Sequence, residues 1–144
     1  MSPSRSTLGL CFLLLLILQL GCDSSSKKVE EMRARHEEMK KVSGEFVEAL
    51  KSVTDVESAK TALPRLEKVC EQMFTSGQKL EEVANTSLRS AAGLKQEMEA
   101  FRVEQKKIVD EQIARIGELP EAAEILEPLL KKYGFFGSQT LVPF

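Results

Sequence analysis

The sequence predicts an all-α fold: an up-down-up bundle of three long antiparallel helices, with a shorter fourth helix and an apolar C-terminal tail. Three observations carry this. Apolar side chains recur every three or four residues from Val29 to Ile116. Helix-ending residues cluster at 54–55, 85–87 and 117–120, leaving segments of nearly equal length. The links between those segments are short, which makes sequential helices antiparallel neighbours.

The first bundle helix is predicted from the stripe Val29, Met32, His36, Met39, Phe46, Leu50 and Val53, with Ser43 at the one polar step beside Val42. Its outer faces carry Glu31 with Arg35 and Glu37 with Lys41, acid before base at i, i+4, the favourable order on a helix. Thr54 and Glu57 form a capping-box pattern that ends this helix near Val53 and starts the next, with Asp55 a competing cap. The second helix, 56–84, follows from Ala59, Leu63, Leu66, Cys70, Met73, Gly77, Leu80 and Ala84. The stripe crosses Ser76-Gly77 in phase, so that pair belongs inside the helix and not to a turn. Pro64 removes the hydrogen bond to the Lys60 carbonyl, and a kink is expected there.

Asn85-Thr86-Ser87 marks the next boundary; the third helix then runs through Leu88, Ala91, Leu94, Met98, Phe101, Ile108, Val109, Ile113 and Ile116, to end at Gly117. Each of the three helices is about 26 to 30 residues, or roughly 40 Å. Pro120 opens a shorter helix, with Glu121 and Glu124 suited to its positive end, and Pro128 is expected to kink or split it before Gly134. Of the tail 135–144 (FFGSQTLVPF), Phe135 and Phe136 are expected to cover the open side of the core, because exposed apolar area forgoes ~25 cal/mol per Å². The alternative is a partner that captures the hydrophobic C-terminus by strand addition. The segments Thr54–Met73 and Ile116–Tyr133 are similar to parts of uncharacterised exported helical proteins of bacteria, a resemblance that implies no activity.

Ahead of the bundle, Arg5 and the amino terminus precede an apolar run, Leu8 to Leu20, that stops at Gly21. Such a run is too short for the ~20 residues of a transmembrane helix and has the layout of an export signal, so 1–21 is expected to be removed. Cys22 follows directly and leads into a polar tether, 23–28. The Gly21-Cys22 junction resembles the lipobox of bacterial lipoproteins, although Gln19 and Leu20 stand where that class usually has Leu and Ala or Ser. The resemblance implies a diacylglyceryl group on the Cys22 thiol, cleavage just before it, acylation of the new amino terminus, and a stable membrane anchor outside the cytoplasm, on the periplasmic side. Asp23 resembles the residue that retains some such lipoproteins in the inner membrane. Ordinary secretory cleavage is the alternative, and it leaves a secreted domain.

The 123 residues from Cys22 onward suffice for one domain. Losing Arg5 leaves one basic side chain fewer than the chain's 20 against 22 acidic ones, a net charge of about −3 that argues against nucleic acid. Of three cysteines, Cys11 leaves with the signal and Cys22 carries lipid, so Cys70 has no partner for an internal disulfide.

No set of residues reads as an active site, and the chain is expected not to be an enzyme. His36 is the single histidine. Level with Met73 and Gly77 on the second helix and Met98 on the third, it is a candidate for holding haem iron together with Met98. A stripe of methionines is more simply core, and we expect no cofactor or metal. Cys70 would need His36 as its base and otherwise is a buried, inert thiol. The pairs Glu30-Glu31, Glu37-Glu38 and Glu81-Glu82 are expected on solvated faces, and no small-molecule substrate is indicated. Asn85-Thr86-Ser87 matches a glycosylation sequon but is read as a turn and cap. The sequence thus points to a lipid-anchored, noncatalytic helical module that binds or spaces an envelope partner; a small periplasmic haem or metal carrier using His36 is the alternative.

Overall fold

The computed structural model describes the backbone of residues 5–85 and 89–135, and the side chains within those ranges from residue 26 onward, residue 90 excepted. It is a helical bundle of four α-helices: α1 (Arg5–Lys51), α2 (Val56–Ala84), α3 (Ala92–Gly117) and α4 (Pro120–Lys132), with a 3-10 turn at Arg89–Ala91. No strand occurs among the described residues.

α1 is longer than its stripe predicts. The helix runs without a break through 23–28, so the stretch expected as a tether is helical rather than extended. Past that point the stripe behaves as periodicity requires: Met32, His36, Met39, Ser43, Phe46, Leu50 and Val53 are all buried. Of the two ion pairs expected on its outer face, Glu31 with Arg35 forms and Glu37 with Lys41 does not. Arg35 meets Glu31 at 4.0 Å and Glu38 at 3.3 Å, whereas Glu37 pairs with Lys40 at 2.9 Å and not with Lys41. An i, i+3 partner serves Glu37 as well, because both spacings lie on one helix face.

α2 spans Val56–Ala84 unbroken through Pro64, which is exposed, and through Ser76 and Gly77, which are buried. Its cap is Asp55, not Thr54. The Asp55 carboxylate accepts from the Ser58 amide at 2.8 Å, and the Asp55 amide donates to Ser58 Oγ at 2.9 Å. This is the reciprocal arrangement expected of Thr54 and Glu57, moved one residue, with the short Ser58 hydroxyl in place of the Glu57 carboxylate.

α3 begins at Ala92 rather than Leu88. Ala91 at its cap position has no side-chain acceptor for the free amides, and the chain enters through the 3-10 turn instead. At the other end Gly117 is still helical. The stop is made by Glu118 and Leu119, whose amides donate to the Arg115 and Ile116 carbonyls at 3.2 and 2.8 Å, and Pro120 starts α4. α4 accommodates Pro128 without splitting. It closes in a Schellman motif: Gly134 takes φ 76°, its amide donates to Lys131 O at 3.1 Å, and the Phe135 amide donates to Leu130 O at 2.8 Å. Only a residue without a Cβ adopts that φ readily, which explains a glycine here.

Burial divides the core in two. The larger cluster joins Phe46 and Leu50 of α1 and Val53 just past it with Leu66, Cys70 and Met73 of α2, Val109 and Ile116 of α3, and Leu126 and Leu130 of α4. Phe135 belongs to it, stacked on Phe46 with ring centroids 5.0 Å apart, as expected. Phe136 and the rest of the tail lie outside the described residues. The smaller cluster, at the end nearer the N-terminal extension, holds Met32, Met39, Leu80, Ala91 and Leu94. Polar side chains lie between them: Ser43 Oγ donates to Gln105 Oε1 at 2.9 Å, and Ser76 Oγ donates to Glu38 Oε1 at 3.1 Å.

Candidate functional site

The middle of α3 buries little apolar surface. Gln105 replaces an apolar residue in its stripe, Phe101 and Ile108 are only half-buried, and Val103 is 61% exposed. A cavity of about 370 Å³ opens beside the smaller cluster, near the lower end of the 300–1,000 Å³ usual for small-molecule sites. His36, Gly77 and Met98 all line it, so the structure brings together three of the four residues that the stripes placed level. Met73 belongs instead to the larger cluster.

His36 is 1% exposed, and the edge-to-face contact with Phe101, centroids 5.3 Å apart, fixes its ring. Its Nε2 is buried with no hydrogen-bond partner. The nearest carboxylate oxygen, Glu97 Oε1, is 3.9 Å away, beyond hydrogen-bond reach. That oxygen is occupied by Lys40, whose ammonium donates to it at 2.9 Å and also to Glu37 Oε1. Burial pushes the imidazole pKa down, and Lys40 pushes it further; Glu97 and Glu37 oppose this less strongly. The ring is therefore neutral at neutral pH. Lys40, held by its two carboxylates, is pushed up, and Glu97, with Lys40 bound to it, is held low.

Cys70 lies in the larger cluster, not at the cavity. Desolvation pushes its thiol up to about 12, so the nucleophilic thiolate is scarce, and the structure does not bring His36 to it as a base. The six glutamates of the paired motifs are exposed, as solvated helix faces require. Among the described residues no cluster of three or more His, Cys, Asp and Glu side chains could hold a metal ion. Within the same scope, no helix is long and apolar enough to cross a membrane. Asn85 caps α2 through its amide, donating to Glu81 O at 2.9 Å. The predicted lipid site, Cys22, falls in the part of α1 whose side chains lie outside the described residues.

The contact that sequence reasoning missed is Arg115. From α3 its guanidinium donates to Val53 O at 2.7 Å and to Leu50 O at 2.8 Å, just past and at the end of α1, the latter carbonyl also accepting from the Val53 amide at 3.1 Å. A basic residue one position before the apolar Ile116 was the available signal, but nothing in the spacing pairs it with a helix end about sixty residues away in sequence. No known family model matches this chain, and no curated protein or solved structure matches it.

Proposed function

We propose that this chain is a lipid-anchored, noncatalytic helical module of the cell envelope that binds or spaces an envelope partner. The observation that carries this reading is the Leu8–Leu20 run ending at Gly21-Cys22, set at the head of the same helix that enters the bundle. Because α1 is continuous, the six residues 23–28 advance the chain by ~9 Å as helix, against ~20 Å fully extended. The bundle then works directly above the membrane on the periplasmic side, with its smaller core cluster nearest the lipid. We further propose that its first three helices run up-down-up. In support, Ser43 of α1 meets Gln105, and Val53, just past α1, meets Arg115, so the two contacts follow the same order along both segments, and the link from α1 to α2, 52–55, is short. The buried, high-pKa Cys70 and the solvent-facing glutamates favour a noncatalytic role.

Replacing Cys22 by Ser and fractionating cells tests this. The parent is expected in the membrane fraction and Cys22→Ser in the soluble fraction, or retained as uncleaved precursor. Identical processing and fractionation of the two would remove the basis of the reading.

A second reading, a small periplasmic haem or metal carrier, draws on one observation, that His36 and Met98 line the same cavity. Titration with haem tests it: a Soret shift that disappears in His36→Ala supports the carrier, and no shift ends it.

A further inference from the structure

We propose that the chain's own segment 136–144 docks along the groove between α2 and α3 beyond the end of α4, seating Leu141, Val142 and Phe144 in the 370 Å³ cavity. This goes beyond the anchor and does not depend on it.

The course of α4 points to this occupant. α4 packs against α2 and α3 and starts at Pro120, directly after the end of α3. From there it climbs the bundle. Its last turn reaches the level of Cys70, whose thiol feels the Lys132 charge, and Phe135 just past it stacks on Phe46, two helical turns before Val53. The cavity lies further along the same course and between the same two helices, walled by Gly77, Leu80 and Ala84 of α2 and by Met98 and Phe101 of α3, with Met39 of α1 at its floor. Among the described residues α4 is the last element, so the next stretch of chain to reach that groove is 136–144.

Reach and chemistry agree with this. The seven steps of α1 from Phe46 back to Met39 rise ~10 Å, whereas nine residues span up to ~30 Å extended. Phe136 to Thr140 therefore suffice to cross the gap, leaving Leu141 to Phe144 for the cavity. On the way stands Phe74, 44% exposed and one turn before Gly77 on the same face of α2. An uncovered aromatic there gives Phe136 a surface to bury against. The rim holds two acids, Glu81 and Glu99, and two bases, Lys95 and Arg102, so it recruits no net charge, and 136–144 carries no charged side chain. Met39 and Met98 adapt to whichever apolar side chains enter.

The test uses the full-length protein in detergent, with its methionine methyl groups labelled with carbon-13. Met39 and Met98 report on the cavity, and Met73, in the larger cluster, is the internal control. Nuclear Overhauser contacts are expected between the Met98 methyl and Leu141, Val142 or Phe144. In a chain shortened to end at Phe135 these contacts are lost and the Met39 and Met98 methyl resonances shift, while that of Met73 stays in place. Ala84→Phe fills the wall and is expected to expel the segment from the full-length chain, with the same loss of contacts. Leu141→Asp leaves every bundle residue unchanged and is expected to release the segment as well, so the test stays decisive should Ala84→Phe fail to fold. Met39 and Met98 resonances unmoved by the shortening would overturn the docking, as would contacts from Leu141, Val142 and Phe144 to detergent alone. Contacts that appear only between differently labelled molecules in a mixed sample would assign the groove to a second copy and overturn it too.

Discussion

His36 is buried, neutral and held between opposing charges, and its titration follows from those neighbours. In the unfolded chain an imidazole titrates near 6.5, and in the fold burial and Lys40 lower that value. The unfolded state therefore binds the proton more readily below about 6.5, and stability rises with pH through this window. We expect His36's contribution to be fully present above about 6.5 and to be lost as pH falls toward the lower folded value. Glu97 and Asp55, held low by Lys40 and by the Ser58 hydrogen bonds respectively, act in a separate window, losing their contributions only below about 4. Lys40→Met tests the cause. Removing that cation frees Glu97 Oε1 for the imidazole, so the His36 pKa is expected to rise and the loss of stability on acidification below about pH 6.5 to shrink. Ring-nitrogen shifts and melting curves followed against pH check both; an unchanged His36 titration would contradict the account.

Among the elements, α3 is held least by apolar burial, with Leu94, Val109 and Ile116 as its buried residues, and so depends more on polar ties to α1. Lys40 with Glu97, Ser43 with Gln105, and Arg115 with the carbonyls of Leu50 and Val53 are those ties. Arg115→Met keeps much of the side-chain volume but removes the guanidinium donors from the Val53 carbonyl and from the Leu50 carbonyl, which retains only the Val53 amide. We expect a loss of about 2 kcal/mol, read as a lower urea midpoint with unchanged m. No shift in midpoint would mean that water replaces the guanidinium at no cost. The helix spans were legible where a stripe and its punctuation agreed: α2 was bounded at 56–84, and Gly134 marked the end of α4. Caps were less legible, because Thr54 and Asp55 both have acceptors and the choice depends on which N3 residue reaches back. The start of α3 was missed because a 3-10 entry leaves the apolar period of Ala91 and Leu94 unchanged.

At the scale of the whole molecule, the core is split into two apolar clusters, and the cavity lies beside the smaller one, walled by Met39, Leu80, Ala84, Met98 and Phe101. Half of this was readable beforehand. Periodicity put His36, Gly77 and Met98 at one level, since helical rise fixes height along a bundle. It could not reveal that Met73 turns into the other cluster, nor that Lys40 takes the carboxylate His36 would otherwise meet; both depend on side-chain packing between helices. The N-terminal extension contributes the remaining element, a helix continuous with the bundle that carries Cys22 at its membrane-facing side in the proposed arrangement. In that arrangement anchoring and bundle orientation are one feature. Mass spectrometry of the N-terminal peptide of the mature protein tests it most directly. The account predicts a chain beginning at Cys22, with the first 21 residues absent and the mass of a diacylglyceryl group on the thiol; a chain beginning elsewhere, or an unmodified Cys22, would contradict it.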